Sequence, residues 1–474
     1  MFVEFGPESG QYNGRTPARS LKAGEPVEFE LGGLLPDHAY VYRLNFQKIG
    51  DGGYEKREEC RFHTQRRPGD SFTFAVQGDS HPERPGRMYD ADLYVRTLRN
   101  VAADKPDFYF MMGDDFSIER LFEQKSLSPA SVDAVYSHQR GFVGIVGKST
   151  PLMLVNGNHE QAAKYLLDGT ANNGAVYAGR ARTKFYPLPS PDGFYSGNAE
   201  PVDHIGLLRD YYAWQWGDAL FVVIDPYWHS SVVVDNEAGA KAPRRPGEKA
   251  AQPGEQNEAR KGKGNRDLWQ VTLGDTQYHW LETTLQESHA KFKFVFCHHV
   301  LGTGRGGVEE ATRYEWGGQD GGGGKRDRNQ GDGDSQPVRR GLDRFFQNRP
   351  TWDKPIHALL RDTGVTIFFQ GHDHLYAHQE LDGVVYQTCP NPADPTFTAF
   401  NKEAYRSGDI FPNSGHLRVI VSGGANASCT VQYVRSLRPG DQTGGLKNGS
   451  IVHEYTVKPR AFVSPSPLRK EADR

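Results

Sequence analysis

The chain has 474 residues, too many for one ordinary core, so two or more domains, or one large domain with insertions, are expected. A formal net charge of −3 excludes the basic excess of a dedicated nucleic-acid binder, and no apolar run approaches the ~20 residues a membrane-spanning helix needs. The four cysteines, Cys60, Cys297, Cys389 and Cys429, show no C-x-x-C spacing and exclude a disulfide framework, while 54 glycines and 29 prolines point to long loops on a scaffold.

Up to about Arg67, strand-like stretches at 2–5, 27–31 and 40–46 alternate with Gly and Pro turns, which predicts a small β module over 1–67. From Ser71 the rhythm becomes α/β over 68–458. A strand at 71–77 precedes a helix over 88–103 with Leu93, Val95, Leu98 and Val101 at helical spacing. Strands at 107–112, 151–155 and 219–225 follow, with a helix around 128–146. Gly274-Asp275-Thr276-Gln277 opens another helix, with Asp275 placed to cap it, and a strand at 292–297 comes next. The run Val365-Thr366-Ile367-Phe368-Phe369 reads as a buried strand. Strands at 384–388, 416–422, 429–434 and 451–457 predict a second sheet packed on the first. Long loops rich in charge and glycine are expected near 230–267 and 302–341, and a disordered tail over 459–474.

Polar clusters follow the apolar strands in a fixed order: Gly78-Asp79-Ser80-His81, Gly113-Asp114-Asp115, Gly157-Asn158-His159-Glu160, His298-His299 and Gly371-His372-Asp373-His374. Open α/β sheets bind ligands just outside the carboxyl ends of their strands, so the clusters can converge from distant parts of the chain. A mixture of Asp, Asn and His without thiolate suits Mn, Fe, Co, Ni or Zn and is rich enough for two ions. Arg84, Arg87 and Arg305 lie near these clusters in sequence and could pair with a ligand's anionic oxygens, with a solvated arginine the favoured reading for each. Gly302-Thr303-Gly304-Arg305-Gly306-Gly307 fits G-x-G-x-x-G, but no helix pattern follows it, which argues against a dinucleotide site.

The order of clusters resembles the calcineurin-like metallophosphoesterases, whose pattern is D-x-H, G-D, G-N-H-[DE], H and G-H-x-H, over roughly 71–457. The resemblance implies a four-layer α/β/β/α sandwich of two mixed sheets. It implies one metal held by Asp79, His81 and His374, a second held by Asn158, His298 and His372, and Asp114 between them. His299 is the alternative to His298. The ions would be two divalent or trivalent transition metals, Mn, Fe, Zn or Co, activating a bridging hydroxide, with His159 as general acid and Glu160 orienting it. Purple acid phosphatases have D-x-G and G-D-x-x-Y where this chain has His81 and Ser117, so a non-purple relative is implied. The stretch from Gly33 to Leu44, with Phe62-His63-Thr64, resembles the second half of a fibronectin type III domain. The module then lacks opening strands as a small β-sandwich, and a longer chain upstream with a signal peptide, and an extracytoplasmic location, are expected. The expected activity is hydrolysis of small-molecule phosphate esters, monoesters first, with a phosphodiesterase, or a surface binding protein with a vestigial metal site, as alternatives. No nucleic-acid partner and no membrane span are expected.

Overall fold

The structure, a computed structural model, describes residues 1–48, 50, 52–234, 268–300, 304–319, 336–442 and 444–460, without the side chains of 336–341. The stretches 235–267, 301–303 and 320–335, which carry most of the expected long loops, and the tail from 461 lie outside the described residues.

Two mixed sheets lie face to face. The first has six strands in the order Ile451–Val457, Ser428–Arg435, Gly415–Ser422, Phe72–Gln77, Phe108–Met111, Leu152–Leu154. The second has eight, in the order Asp409–Phe411, Tyr376–Leu381, Val384–Thr388, Ile367–Gln370, Phe292–Cys297, Ala219–Val223, Tyr212–Trp216, Ser196–Gly197. Phe72–Gln77, Phe108–Met111 and Leu152–Leu154 run parallel, as do Ala219–Val223, Phe292–Cys297, Ile367–Gln370 and Val384–Thr388. Their carboxyl ends are where the polar clusters leave the sheets.

The alternation of side chains sorts each strand between two cores. Phe74, Val76, Phe292, Phe294, Phe296 and Phe369 point into the seam between the sheets. Ala75 from the first sheet, and Val295, Cys297 and Phe368 from the second, point outward into helix-covered cores. This double burial is why these strands read as unbroken apolar runs. Phe110 stacks on Phe296 with centroids 3.7 Å apart, and Phe296 on Phe369 at 4.8 Å. Helices Ala91–Asp104, Pro129–Gly147 and Gly174–Phe185 cover the first sheet, and Gly274–Glu287 and Ile356–Asp362 the second, giving the expected α/β/β/α layers. Side-chain caps start the first three, from Asp90, Ser128 and Asn173.

The C-terminal strands do not make a sheet of their own. Val384–Thr388 pairs with Ile367–Gln370, whereas Gly415–Ser422 joins Phe72–Gln77 and extends the first sheet. Apolar alternation predicts a strand but leaves its partner open. Asp275 does not cap its helix. Leu273 occupies the cap position, and Asp275 Oδ1 accepts the Trp352 indole N–H at 2.7 Å. At the N-terminus, Phe2–Gly6, Gly14–Arg15, Ala39–Phe46, Glu55–Lys56 and Cys60–His63 form one antiparallel sheet preceding the α/β domain. Residues 27–31 are irregular and pair with none of its strands.

Candidate metal centre

Each cluster leaves its strand through a tight turn. His81, Asp114, His372 and His374 have φ of 49°, 59°, 69° and 49°, a left-handed region that non-glycine residues seldom adopt and that gathers at functional sites. Gly157 brings two of the loops into backbone contact, since a Cβ there would lie 2.4 Å from the Asp114 amide nitrogen. The Glu160 carboxylate locks this contact. It accepts the backbone N–H groups of Asp114, Asp115, Phe116 and Gly157 at 2.8 to 3.0 Å.

Beyond the strand ends, the seven expected ligands come together. His374 Nε2 lies 2.9 Å from His81 Nε2 and 3.0 Å from Asp79 Oδ2. Beside them, His298 Nε2 lies 3.2 Å from both Asn158 Oδ1 and His372 Nδ1 and 3.3 Å from Asp114 Oδ2. Asp114 Oδ2 stands between the two groups, 3.6 Å from His81 Nε2, and is buried with no hydrogen-bond partner. Neighbouring groups fix several of these side chains in place. His298 Nδ1 donates to the Met112 carbonyl at 2.7 Å, which turns Nε2 toward the cluster, and His81 Nδ1 meets the Glu83 carboxylate at 2.9 Å. His299 lies close as well. Its ring stacks on His372 at 3.8 Å, and its Nδ1 is 2.6 Å from the Tyr227 hydroxyl.

Such a cluster fits cations. Imidazole nitrogens face one another at contact distance, and the carboxylate oxygen between them is buried without a hydrogen bond. Burial favours neutral His298, yet the Asp114 and Asp79 carboxylates outweigh it and raise its pKa to about 10. The pocket therefore carries a negative potential that calls for positive charge. Its imidazole, carboxylate and amide donors suit first-row transition ions.

His159 and Glu160 part company. His159 sits at the rim, its Nε2 3.9 Å from Asp114 Oδ2. Its Nδ1 meets Glu119 Oε2 at 2.7 Å, and the Arg84 guanidinium lies 3.0 Å from its Nε2. Glu160, expected to orient His159, instead binds backbone amides because its carboxylate turns inward beneath the Asp114 loop. Burial opposes the charged form of His159, but Asp114 and Glu119 outweigh it and raise its pKa, with Arg84 working against them. Glu83, Arg84, Arg87, Glu119, Arg120 and Glu123 line a cavity of about 300 Å³ next to His159. Arg305 is no solvated arginine. It donates to Asp373 Oδ1 at 2.9 Å and to the His372 carbonyl at 3.1 Å, and so braces the loop that carries His372 and His374.

Two mixed sheets whose facing strand ends pool buried imidazoles and carboxylates define the class of two-sheet metal-dependent hydrolases. A family model described as calcineurin-like phosphoesterase matches residues 72–376, well over half of the chain, and the chain belongs to that family as a metallophosphoesterase. Membership implies a dinuclear metal centre and phosphate-ester substrates. The chain is similar in fold to PhoD, at 13% identity and a TM-score of 0.58 over 97% of this chain and 83% of that one. It is also similar to purple acid phosphatase PPD1 from yellow lupin (Lupinus luteus) seeds, at 13% identity and a TM-score of 0.54 over 98% of this chain and 72% of that one. No curated relative matches the sequence. Among the described residues, no helix is long and apolar enough to cross a membrane.

Proposed function

We propose that the chain is a phosphomonoesterase whose metal pair is held by Asp79, His81 and His374 on one side and by Asn158, His298 and His372 on the other, with Asp114 shared. The observation that carries this reading is Asp114 Oδ2, buried and unbonded between His81 and His298. The chemistry such a pair supplies when bound is that of Lewis acids, making water nucleophilic near neutral pH and neutralising phosphoryl charge; manganese, iron, zinc and cobalt all suit the donors. His298 is favoured over His299 because its Nε2 meets Asn158, His372 and Asp114 together.

The remaining work falls to the rim. His159 is held through Nδ1 by Glu119 and, once Arg84 turns from Nε2 onto the phosphate and that nitrogen is protonated, delivers the proton to the leaving oxygen. Arg84 lies beside that nitrogen and supplies a cation for phosphate oxygens. Three arginines and three glutamates line the cavity; Glu83 turns to both His81 and Arg84, and Glu119 turns to His159. Arg87 and Arg120 beside Arg84 suit a monoester, which carries more negative charge than a diester, and the lupin neighbour is itself named a phosphatase. Residues 1–67 are read as a fibronectin-like module attached to a catalytic domain at 68–458, and an extracytoplasmic location belongs to the same reading; cell fractionation tests the location.

Manganese-reconstituted protein should hydrolyse a chromogenic phosphate monoester faster than the matching diester. Asn158→Ala should lose about 100-fold in kcat and bind less metal. Faster diester turnover would assign a phosphodiesterase, and retained metal without turnover on either ester would favour a binding protein.

A further inference from the structure

A second group of donors stands away from the strand ends, at the open side of the sandwich. His378 on Tyr376–Leu381 and Asp409 on Asp409–Phe411 are cross-strand partners in the eight-stranded sheet. His453 reaches them from Ile451–Val457, the outermost strand of the six-stranded sheet. The two imidazoles converge on one oxygen: Asp409 Oδ2 is 3.3 Å from His378 Nδ1 and 3.4 Å from His453 Nε2. One donor atom from each residue lies within 4.8 Å of the others.

The surroundings fix the rings in ligating orientation. The Tyr376 hydroxyl lies 2.7 Å from His453 Nδ1 and can accept its N–H in the tautomer whose Nε2 lone pair faces Asp409, the one a bound ion selects. The His378 ring stacks on Tyr455 at 3.9 Å with planes 22° apart. Both rings are thus held, while the Asp409 side chain is 56% exposed and leaves a path for an ion and for water. Two imidazoles and a carboxylate with room for water form a first-row transition-metal donor set, and thiolates are absent.

We propose that His378, Asp409 and His453 form a mononuclear site for a divalent first-row transition ion, with zinc as the representative, that clips the edge of one sheet to the edge of the other. The site is separate from the strand-end centre and does not rest on the proposed activity. An ion there ties the three-residue edge strand Asp409–Phe411 to Ile451–Val457 and stabilises the folded chain by mass action.

The test compares the full-length protein with Asp409→Asn and His378→Ala after removal of metals and dialysis against zinc. Each variant should bind about one equivalent less zinc than the parent by elemental analysis and lose part of the zinc-dependent rise in Tm. Phosphate monoester hydrolysis, measured on the same samples, should be unchanged. Because the readout is a difference, it holds whatever the strand-end centre binds. Equal zinc content in the parent and both variants overturns the proposal. Asp409→Asn alters a half-exposed side chain by one atom, so loss of zinc from that variant with an unchanged far-ultraviolet spectrum separates loss of the site from loss of the fold.

Discussion

His159 meets Glu119 through one ring nitrogen and has Arg84 beside the other. A general acid needs its proton-bearing nitrogen aimed at the leaving oxygen, so the carboxylate that fixes the ring matters as much as its charge. His159→Ala should therefore retain its metals and lose about 10²- to 10⁴-fold in kcat, most of all with poor leaving groups. Glu119→Gln should lose about tenfold, again mostly with poor leaving groups. Equal kcat for Glu119→Gln and the parent across a leaving-group series would remove the positioning role. At this scale the sequence reading reached the ligands more readily than their supports. Asp79, Asn158 and His372 each follow an apolar strand at short, countable spacing. Glu119 opens the five-residue helix Glu119–Glu123, which has no side-chain cap and is too short to show a period in the sequence. It reaches His159 only because the Ile118 amide donates to the His159 carbonyl at 3.1 Å and draws the two loops side by side. Glu160 shows the converse: its place in a motif suggested a partner, but burial gave it backbone amides instead.

Among the elements, the seam between the sheets sets the spacing of everything above it. Phe110 from the first sheet and Phe296 from the second stack almost in parallel, with planes 10° apart, directly below the loops of Asp114 and His298. Phe110→Ala should cost about 3–5 kcal/mol in urea denaturation. The same variant should also weaken metal retention, because Asp79, His81, Asp114 and Asn158 follow strands of the first sheet and His298, His372 and His374 follow strands of the second. Unchanged metal affinity at reduced stability would mean that the loops hold the centre without the seam. The strands of this seam were legible as apolar runs, but the pairing of the C-terminal strands was not. Val384–Thr388 and Gly415–Ser422 look alike in pattern yet enter different sheets, since pairing is decided by distant edges rather than by local sequence. The same reason explains 27–31, which alternates like a strand and pairs with none of the N-terminal sheet.

For the molecule as a whole, a buried pair away from the metal centre ties stability to pH. His229 Nε2 lies 3.0 Å from Asp210 Oδ2, and the Asn198 amide donates to Asp210 Oδ1 at 2.7 Å. Burial disfavours charge on both partners, but each stabilises the other's ionised form, so the pKa of His229 is raised and that of Asp210 lowered. The histidine's contribution is full below its ordinary value of 6.5 and fades as pH rises through the raised one. The aspartate's contribution is full above its ordinary value of 3.8 and fades as pH falls through the lowered one. The Tm deficit of His229→Gln should thus be largest at pH 5 to 6 and shrink toward pH 9. A deficit independent of pH would show that packing alone holds the pair.

The antiparallel pairing of Phe72–Gln77 with Gly415–Ser422 has a consequence in time. While the chain is being made, Phe72–Gln77 waits with one apolar edge open until Gly415–Ser422 has left the ribosome. His81 likewise waits for His374, 293 residues later. A nascent chain can thus carry most of its helices and still lack both a closed first sheet and a full set of ligands. Protection from aggregation and capacity for catalysis arrive within the same short interval of synthesis, so an unfinished chain is a client for chaperones before it can be an enzyme.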